Sequence, residues 1–189
     1  FPSASIAYAI NDEHNVSLSY SRRIDRPNYG NLNPFEFFLD RFTFERGNPF
    51  LNPQYTDAIA LNYGFKNAVF LTLNHNRTQD AITQVLEQEE ASQTTYQTTM
   101  NLDNQRHYSA NIAAPLPLTS WWVLNLNLTG FYNTITSSFS EGDVDKQQFS
   151  YMARMQNSFS LPGDFKLELM GMYMSPQLWG IFEIQEMYQ

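Results

Sequence analysis

The chain has no cysteine among its 189 residues, which excludes disulfides, thiol catalysis and cysteine-based zinc sites. Charged residues are also scarce, at 16% of the chain, where a quarter is usual. Their balance is acidic, with a formal net charge of −8. A nucleic-acid partner needs a concentrated basic face, so we expect no nucleic acid to bind.

Long apolar runs and helical periodicity are missing as well. No run approaches the roughly 18 apolar residues that indicate a membrane-spanning helix, and apolar positions do not recur with a period of 3.6 residues. The chain begins with Phe1, which is not a natural initiator and has no signal-like segment after it. We therefore expect a piece of a longer protein that is not helical.

Motifs for chemistry are equally absent. The three histidines, His14, His75 and His107, have no neighbours at metal-ligand spacing, and no nucleophile elbow, P-loop or dinucleotide fingerprint occurs. Glu87, Glu89 and their neighbour Glu90 suggest paired carboxylates, but we expect them at an exposed loop tip without a partner. The sequence thus predicts no enzyme, no catalytic residue, no cofactor and no metal site.

The dominant pattern that is present is alternation with a period of two. Leu124, Leu126 and Leu128 alternate with Asn125 and Asn127, and similar alternation recurs along nearly the whole chain. This pattern predicts strands with one apolar and one polar face. Nine strands are predicted, at about 3–10, 14–24, 55–65, 68–87, 93–115, 120–139, 147–161, 165–177 and 181–189.

The predicted connections alternate between short and long. Short turns fall at 11–13, 66–67, 115–119 and 162–164, whereas longer or variable segments fall at 25–54, 88–92, 140–146 and 175–180. Short and long connections would then lie at opposite ends of the sheet, as in outer-membrane barrels, whereas a soluble sandwich usually has Greek-key crossings. We predict an all-β, antiparallel up-and-down meander that is part of a transmembrane β-barrel.

The apolar alternation is concentrated near the short turns. A strand of 20 residues spans about 66 Å, whereas the hydrocarbon layer is about 30 Å thick, so a limited apolar band fits a membrane better than a soluble core. We therefore expect the apolar faces to contact lipid and the Asn and Thr faces to line a wet lumen. Trp121 and Trp122 fit an aromatic girdle at the membrane edge, with a place in a protein core as the alternative.

Residues 21–67 carry a recognisable set of short motifs. These are Arg26-Pro27-x-Tyr29, Leu32-Asn33-Pro34-Phe35, Gly47-Asn48-Pro49-x-Leu51-x-Pro53 and Gln54-Tyr55. The segments 94–104, 113–122, 156–162 and 173–180 continue the likeness. In their order and spacing these motifs resemble the outer-membrane β-barrel of TonB-dependent receptors, over nearly the entire chain.

This resemblance implies a C-terminal barrel closed around an N-terminal plug, in the outer membrane of a Gram-negative cell. It also implies ligand-gated uptake of a nutrient, driven by the inner-membrane energy-coupling (TonB) complex through the N-terminal part. Some members pair with a surface lipoprotein, and outer-membrane lipid surrounds the barrel. Such barrels have roughly 22 strands, so residues 1–189 are expected to be a partial barrel domain without the plug and the remaining strands.

Two other functions stay open. One is a soluble or surface-attached β-domain that binds carbohydrate through aromatic loops, and the other is a structural barrel that transports nothing. The residues 25–54 bear on this choice, because aromatic and arginine side chains are concentrated there. The candidate ligand-binding residues of this predicted outer loop are Tyr29, Phe35, Phe38, Arg41, Phe42, Phe44 and Arg46.

These aromatics have two interpretations. They can stack on a sugar or an apolar ligand, or they can pack the loop on itself as a compact lid. The prolines of three Asn-Pro pairs, at 33–34, 48–49 and 52–53, cannot donate to a ladder, so we expect them to keep the loop out of the sheet. Arg22 and Arg23 end the second strand at the outer rim, within reach of lipopolysaccharide phosphates.

Overall fold

The computed structural model describes residues 2–66, 68–89, 93–139 and 142–188. The first elements are β1 (Ser3–Ala9), β2 (His14–Asp25), the short helix α1 (Tyr29–Leu32), β3 (Phe37–Asp40), β4 (Thr43–Glu45), β5 (Gln54–Phe65) and β6 (Val69–Glu89). The others are β7 (Thr94–Thr119), β8 (Trp122–Phe139), β9 (Gly142–Ser160), β10 (Lys166–Met174), β11 (Gln177–Trp179), β12 (Phe182–Ile184) and β13 (Met187–Tyr188). Within these ranges no helix has the length and apolarity to cross a membrane.

One sheet contains nearly all of these strands. Its main path runs β1-β2-β5-β6-β7-β8-β9-β10-β13, and every neighbouring pair on that path is antiparallel. The path therefore has nine strands, in the order of the chain. The predicted all-β up-and-down meander is confirmed.

One predicted turn was placed too early. Residues 115–119 belong to β7, which continues to Thr119, and the turn lies at residues 120–121. Pro115 and Pro117 are tolerated because they pair with β8 alone, whereas the β6 ladder on the other edge begins only at Ala113. A proline without an N–H is acceptable at such a one-sided edge.

The ninth predicted strand, at 181–189, was only partly right. Residues Phe182–Ile184 pair with Gln177–Trp179 in a separate hairpin, and only Met187–Tyr188 joins β10. The hairpin turns at Gly180, whose φ of 57° suits a residue without a side chain. Alternation alone predicted one continuous strand here, whereas glycine and proline near the end of the chain favour a hairpin instead.

The predicted loops at 88–92 and 140–146 are shorter than expected. β6 reaches Glu89 and β9 begins at Gly142, while residues 90–92 and 140–141 lie outside the described residues. Asp143 and Asp145 pair with Ser138 and Thr136 of β8. Pairing with a neighbouring strand thus outweighs the turn propensity of Gly and Asp.

The two faces of the sheet differ in chemistry, as predicted. We call the face with Leu124, Leu126 and Leu128 the outer face, and the face with Asn125 and Asn127 the inner face. Directly paired residues share a face, which assigns the other strands through the register. No described element packs on the outer face, where Leu18, Leu128 and Leu169 are 46%, 40% and 54% exposed.

The inner face changes character along the strands. Toward the short turns it carries polar side chains such as Thr78, and beyond Asp80 it carries a small apolar cluster of Ala81, Leu102 and Ile135. Asp80 has a φ of 52°, which shifts the alternation of β6 by one residue. The β11–β12 hairpin lies against this cluster through Leu178 and Ile181.

Candidate functional site on the inner face

Hydrogen bonds between side chains connect the strands across the inner face. Asn62 donates to Ser17 at 3.3 Å and accepts from Thr72 at 3.0 Å, which connects β2, β5 and β6. Asn74 donates to Ser109 at 3.2 Å, which connects β6 and β7. The amides and hydroxyls of this wall satisfy one another while offering further donors and acceptors to water or a polar solute.

The same arrangement continues over β7 and β8. Asn111 donates to Asn127 at 3.2 Å and to Thr129 at 2.7 Å, and the His107 ring lies 2.7 Å from the Asn133 oxygen. His107 therefore lies on the inner face. Among the described residues no group of three or more His, Cys, Asp or Glu side chains is placed to hold a metal ion.

A depression of about 600 Å³ interrupts this polar wall toward the short turns. Phe70, Met152 and Arg154 line it together with Gln156, and the Arg154 guanidinium lies 3.4 Å from the sulfur of Met170. Phe70 breaks the apolar alternation of β6, since it lies on the inner face directly opposite Gly64.

Residues 26–53, which we call the crossing loop, close on themselves through backbone groups. Asn28 begins α1 by accepting from the Asn31 N–H at 2.8 Å. The Asn48 N–H donates to the Asn31 carbonyl at 2.6 Å, and the Gly47 N–H donates to the Asn33 carbonyl at 2.8 Å. Backbone hydrogen bonds therefore close the loop, and this closure does not depend on the aromatic side chains.

The crossing loop spans the inner face to reach a distant strand edge. β4 pairs in parallel with β7 at Thr95 to Gln97, and β6 pairs with the same residues from the other side. The loop leaves from β2 and returns to β5, so it must pass over β6 and β7 to reach the free edge. It passes on the inner side, because loop residues share a pocket with Thr98 and Met100.

The expectation that the Asn-Pro pairs keep this segment out of the sheet was therefore wrong for β4. The three prolines lie outside strands, as expected. However, residues 37–45 between them contain no proline and include four phenylalanines, which have high strand propensity. This stretch forms the β3–β4 hairpin and adds to β7.

Two of the seven candidate ligand residues hold this hairpin on β7. The Arg46 guanidinium lies 3.0 Å from the Glu87 carboxylate and 4.1 Å above the Tyr96 ring. The Phe44 ring lies 5.9 Å from Tyr96 and 5.8 Å, edge-on, from Phe38. The expectation that Glu87 is a solvated carboxylate without a partner was wrong, and no local signal could reveal a partner 41 residues away.

The other five candidates face solvent. Tyr29 and Phe42 are 81% and 54% exposed, and Phe35, Phe38 and Arg41 are also exposed. The Arg41 guanidinium lies 5.5 Å from the ring of its neighbour Phe42. The crossing loop thus exposes aromatic and cationic side chains to solvent, while Phe44 and Arg46 contact Tyr96 of β7.

A comparison with protein families assigns the chain to a family. The model of the outer membrane protein beta-barrel family matches residues 1–189. The chain belongs to this family. Its place is therefore the outer membrane, and this membership favours the barrel interpretation over a soluble β-domain.

Solved structures give the same architecture for this outer-membrane barrel. A point mutant of the ferric enterobactin receptor PfeA from Pseudomonas aeruginosa, in complex with enterobactin, matches with a TM-score of 0.62 and 15% identity. The match covers 99% of the chain and 31% of the receptor. The siderophore receptor PirA from the same organism matches with a TM-score of 0.57 and 15% identity, over 92% of the chain and 38% of PirA.

The chain thus spans about a third of the length of the solved receptors that it resembles. At this identity the likeness is one of fold. No curated protein sequence matches the chain. The predicted resemblance to outer-membrane receptor barrels is confirmed at the level of family and fold.

In an outer-membrane barrel the exposed leucines of the outer face are lipid-facing. Outward apolar positions of β8 extend from Trp122 to Tyr132, which matches the 9–11 residues that a tilted strand needs to cross the hydrocarbon layer. At the short-turn end the Trp122 ring lies 5.7 Å from Phe159 and 6.3 Å from Trp121. Trp121 is half exposed, which fits a girdle position better than a core.

Proposed function

We propose that the chain forms part of the wall of a TonB-dependent receptor that imports a nutrient across the outer membrane in a ligand-gated manner. The observation that carries the proposal is the difference between the faces of the sheet. A hydrogen-bonded wall of amides and hydroxyls lines the inner face, while none of the described elements covers the apolar outer face. The fold shared with a ferric enterobactin receptor supports it.

The remaining parts of such a receptor belong to this proposal as well. A plug and further strands would complete the barrel around the inner face, and the inner-membrane energy-coupling (TonB) complex would act through the plug side. A surface lipoprotein is a candidate partner where the nutrient is a glycan or a peptide. The chain itself supplies a stretch of wall and an outer loop, and no catalytic step is proposed for it.

Within the receptor, the solvent-facing part of the crossing loop is the proposed first contact for the ligand. Tyr29, Phe35, Phe38 and Phe42 would stack on an apolar or sugar surface, and Arg41 would attract an anionic group. Phe44 and Arg46 would position this surface, because they contact β7. The neutral donors of the inner face would then receive the ligand below the loop.

A deletion strain tests the transport proposal. We expect loss of growth on one substrate class when ferric siderophores, oligosaccharides and peptides are supplied in turn as limiting nutrients. Inactivating the energy-coupling complex should produce the same loss. Normal growth of the deletion strain on every substrate, or uptake that continues without the coupling complex, would contradict active import.

Loop variants of the full-length protein then test the proposed contacts. Replacing Arg41 and Phe42 with alanine should weaken binding of the identified substrate about tenfold, a usual magnitude for contact residues that matter. Phe50→Ala is the matched control, because Phe50 is an exposed phenylalanine of the same loop outside the candidate set. Equal losses for both variants would assign the effect to loop structure instead.

A further inference from the structure

Charged residues form a row on the outer face above the apolar band. Arg22 pairs with Asp57, Asp57 pairs with Arg77, and Arg77 pairs with Arg106. Thr134 continues the row on β8. Three of the 11 basic residues of an acidic chain thus lie in one row across four adjacent strands, with Asp57 between Arg22 and Arg77.

The row directly below is largely aromatic. Tyr20, Ile59, His75 and Tyr108 are paired across the same four strands, and the His75 and Tyr108 rings stack with centroids 4.4 Å apart. Aromatic side chains gather at the boundary between hydrocarbon and head groups. The charged row therefore lies at the level of lipid head groups, on the side of the long loops.

The Asp57 carboxylate, the acidic group in the row, already has partners. Asp57 accepts from the Tyr20 hydroxyl at 2.7 Å, and its carboxylate lies 3.9 Å from the Arg22 Nε. Arg77 donates from Nε to the neutral Asn104 side chain at 3.1 Å. In the part of the chain that the structure describes, neither Arg77 nor Arg106 has a carboxylate within 4.0 Å.

Other described acids along these strands form no ion pair with either arginine. Asp103 precedes Arg106 on β7, but one of its carboxylate oxygens accepts from the Ser138 N–H at 3.0 Å. Asp145 lies two strands away from β7 on β9. Arg77 and Arg106 are thus a like-charge pair at directly opposed positions, which destabilises a sheet unless an anion lies between them.

We propose that Arg77 and Arg106 together bind a phosphate of an outer-leaflet lipid head group. Two guanidinium groups on neighbouring strands offer forked N–H donors that match phosphate oxygens, and such charge-assisted pairs are short and strong. Their exposed position on the lipid-facing side and the aromatic row beneath them select a membrane lipid as the source of that phosphate.

The pair also differs from the arginines that the sequence suggested for this role. Arg23 points to the inner face, where it lies 3.8 Å from Asp25. Arg22 points outward but already pairs with Asp57. Arg23 is thus a matched control, because it carries the same charge at a similar height on the opposite face.

The test uses the full-length protein in phosphatidylcholine nanodiscs, with and without a minor fraction of bisphosphorylated lipid A. We expect lipid A to raise the midpoint of thermal unfolding of the wild type. The double variant Arg77→Gln/Arg106→Gln should lose this rise and bind lipid A about tenfold more weakly, while Arg23→Gln should keep both. An equal rise in the double variant would overturn the proposal.

Two further measurements keep the outcome unambiguous. Inorganic phosphate added to nanodiscs without lipid A should leave the midpoint unchanged, and a rise of the same size would show a site for free anions rather than lipid. If the double variant does not fold, Arg106→Thr replaces it, because threonine favours strands and matches the neighbour Thr134. This variant should be at least as stable as the wild type without lipid A, and lipid A should stabilise it less.

Discussion

Leu126 and Asn125 are neighbours in β8 whose side chains lie on opposite faces of the sheet. Leu126 is near the middle of the outward apolar run of that strand. Replacing Leu126 with arginine should lower the free energy of unfolding by about 2–4 kcal/mol, because a guanidinium at the bilayer midplane has no water to solvate it. Urea unfolding of the full-length protein in lipid vesicles measures this cost.

Asn125→Arg is the matched control for that substitution. The Asn125 side chain is exposed on the inner face, where water can solvate a charge, so its replacement should cost much less. Similar costs at both positions would mean that the two faces do not separate lipid from water.

Asp40 provides a pH-dependent contact in the crossing loop. The Phe42 backbone N–H donates to its carboxylate at 2.9 Å, and this bond lowers the pKa of Asp40 below its ordinary value. A lowered pKa in the folded state means that the carboxylate stabilises the hairpin turn above the ordinary aspartate pKa. That stabilisation is lost as the pH falls through the lowered value.

The amide proton resonance of Phe42, in full-length protein labelled at phenylalanine, measures this titration. Its midpoint should lie below the value of about 3.9 that is usual for aspartate in peptides. Asp40→Asn should abolish the titration, since an amide does not ionise in this range, and it identifies the signal among the 15 phenylalanines. A midpoint at the ordinary value would show that the turn does not form in solution.

At the scale of elements, Gly47 decides the shape of the crossing loop. A side chain at this position would place its first carbon 2.6 Å from the carbonyl oxygens of Gly30 and Asn33. Gly47→Ala should therefore open the loop at a local cost of about 1–3 kcal/mol, as overpacking usually does. Faster cleavage of residues 26–53 by a protease, in the otherwise folded full-length protein, is the expected readout.

Gly171→Ala is the control for this substitution. Gly171 lies in β10, and apart from its chain neighbours no described residue comes within 4 Å of the carbon that alanine would add. Its cleavage pattern should match the wild type. A Gly47→Ala variant that resists protease as well as Gly171→Ala does would mean that the loop is not closed by the contacts of its backbone.

The elements also show what the sequence could and could not predict. Alternation identified the meander and both faces of β2, β5 and β8. Successive side chains of a strand point to opposite faces, so the alternating pattern itself shows which side chains share a face. It failed where partners distant in sequence decide the outcome. β4 adds to β7, and Arg46 meets Glu87, through contacts that no local pattern encodes. The candidate loop was found by composition, but its division into docking and solvent-facing residues required the structure.

For the whole molecule, the free edge of the sheet at β1 leads to a further prediction. β1 pairs only with β2 among the described strands, and its outward Ile6 and Tyr8 are exposed. An unpaired edge with apolar side chains attracts other strands. The chain also covers about a third of the receptors that share its fold. We therefore expect a further strand of a larger barrel to pair with the open edge of β1.

Amide hydrogen exchange in the full-length protein distinguishes a free β1 edge from one that is paired with a further strand. In a lone edge strand, alternate amides of residues Ser3–Ala9 point toward β2 and are protected, while the others exchange with solvent. A second neighbour would protect both sets, so we expect slow exchange at every amide of β1. The isolated residues 1–189 should show the alternating pattern or aggregate. An alternating pattern in the full-length protein would contradict closure at β1, because only a bonded neighbour removes the free amides of an edge.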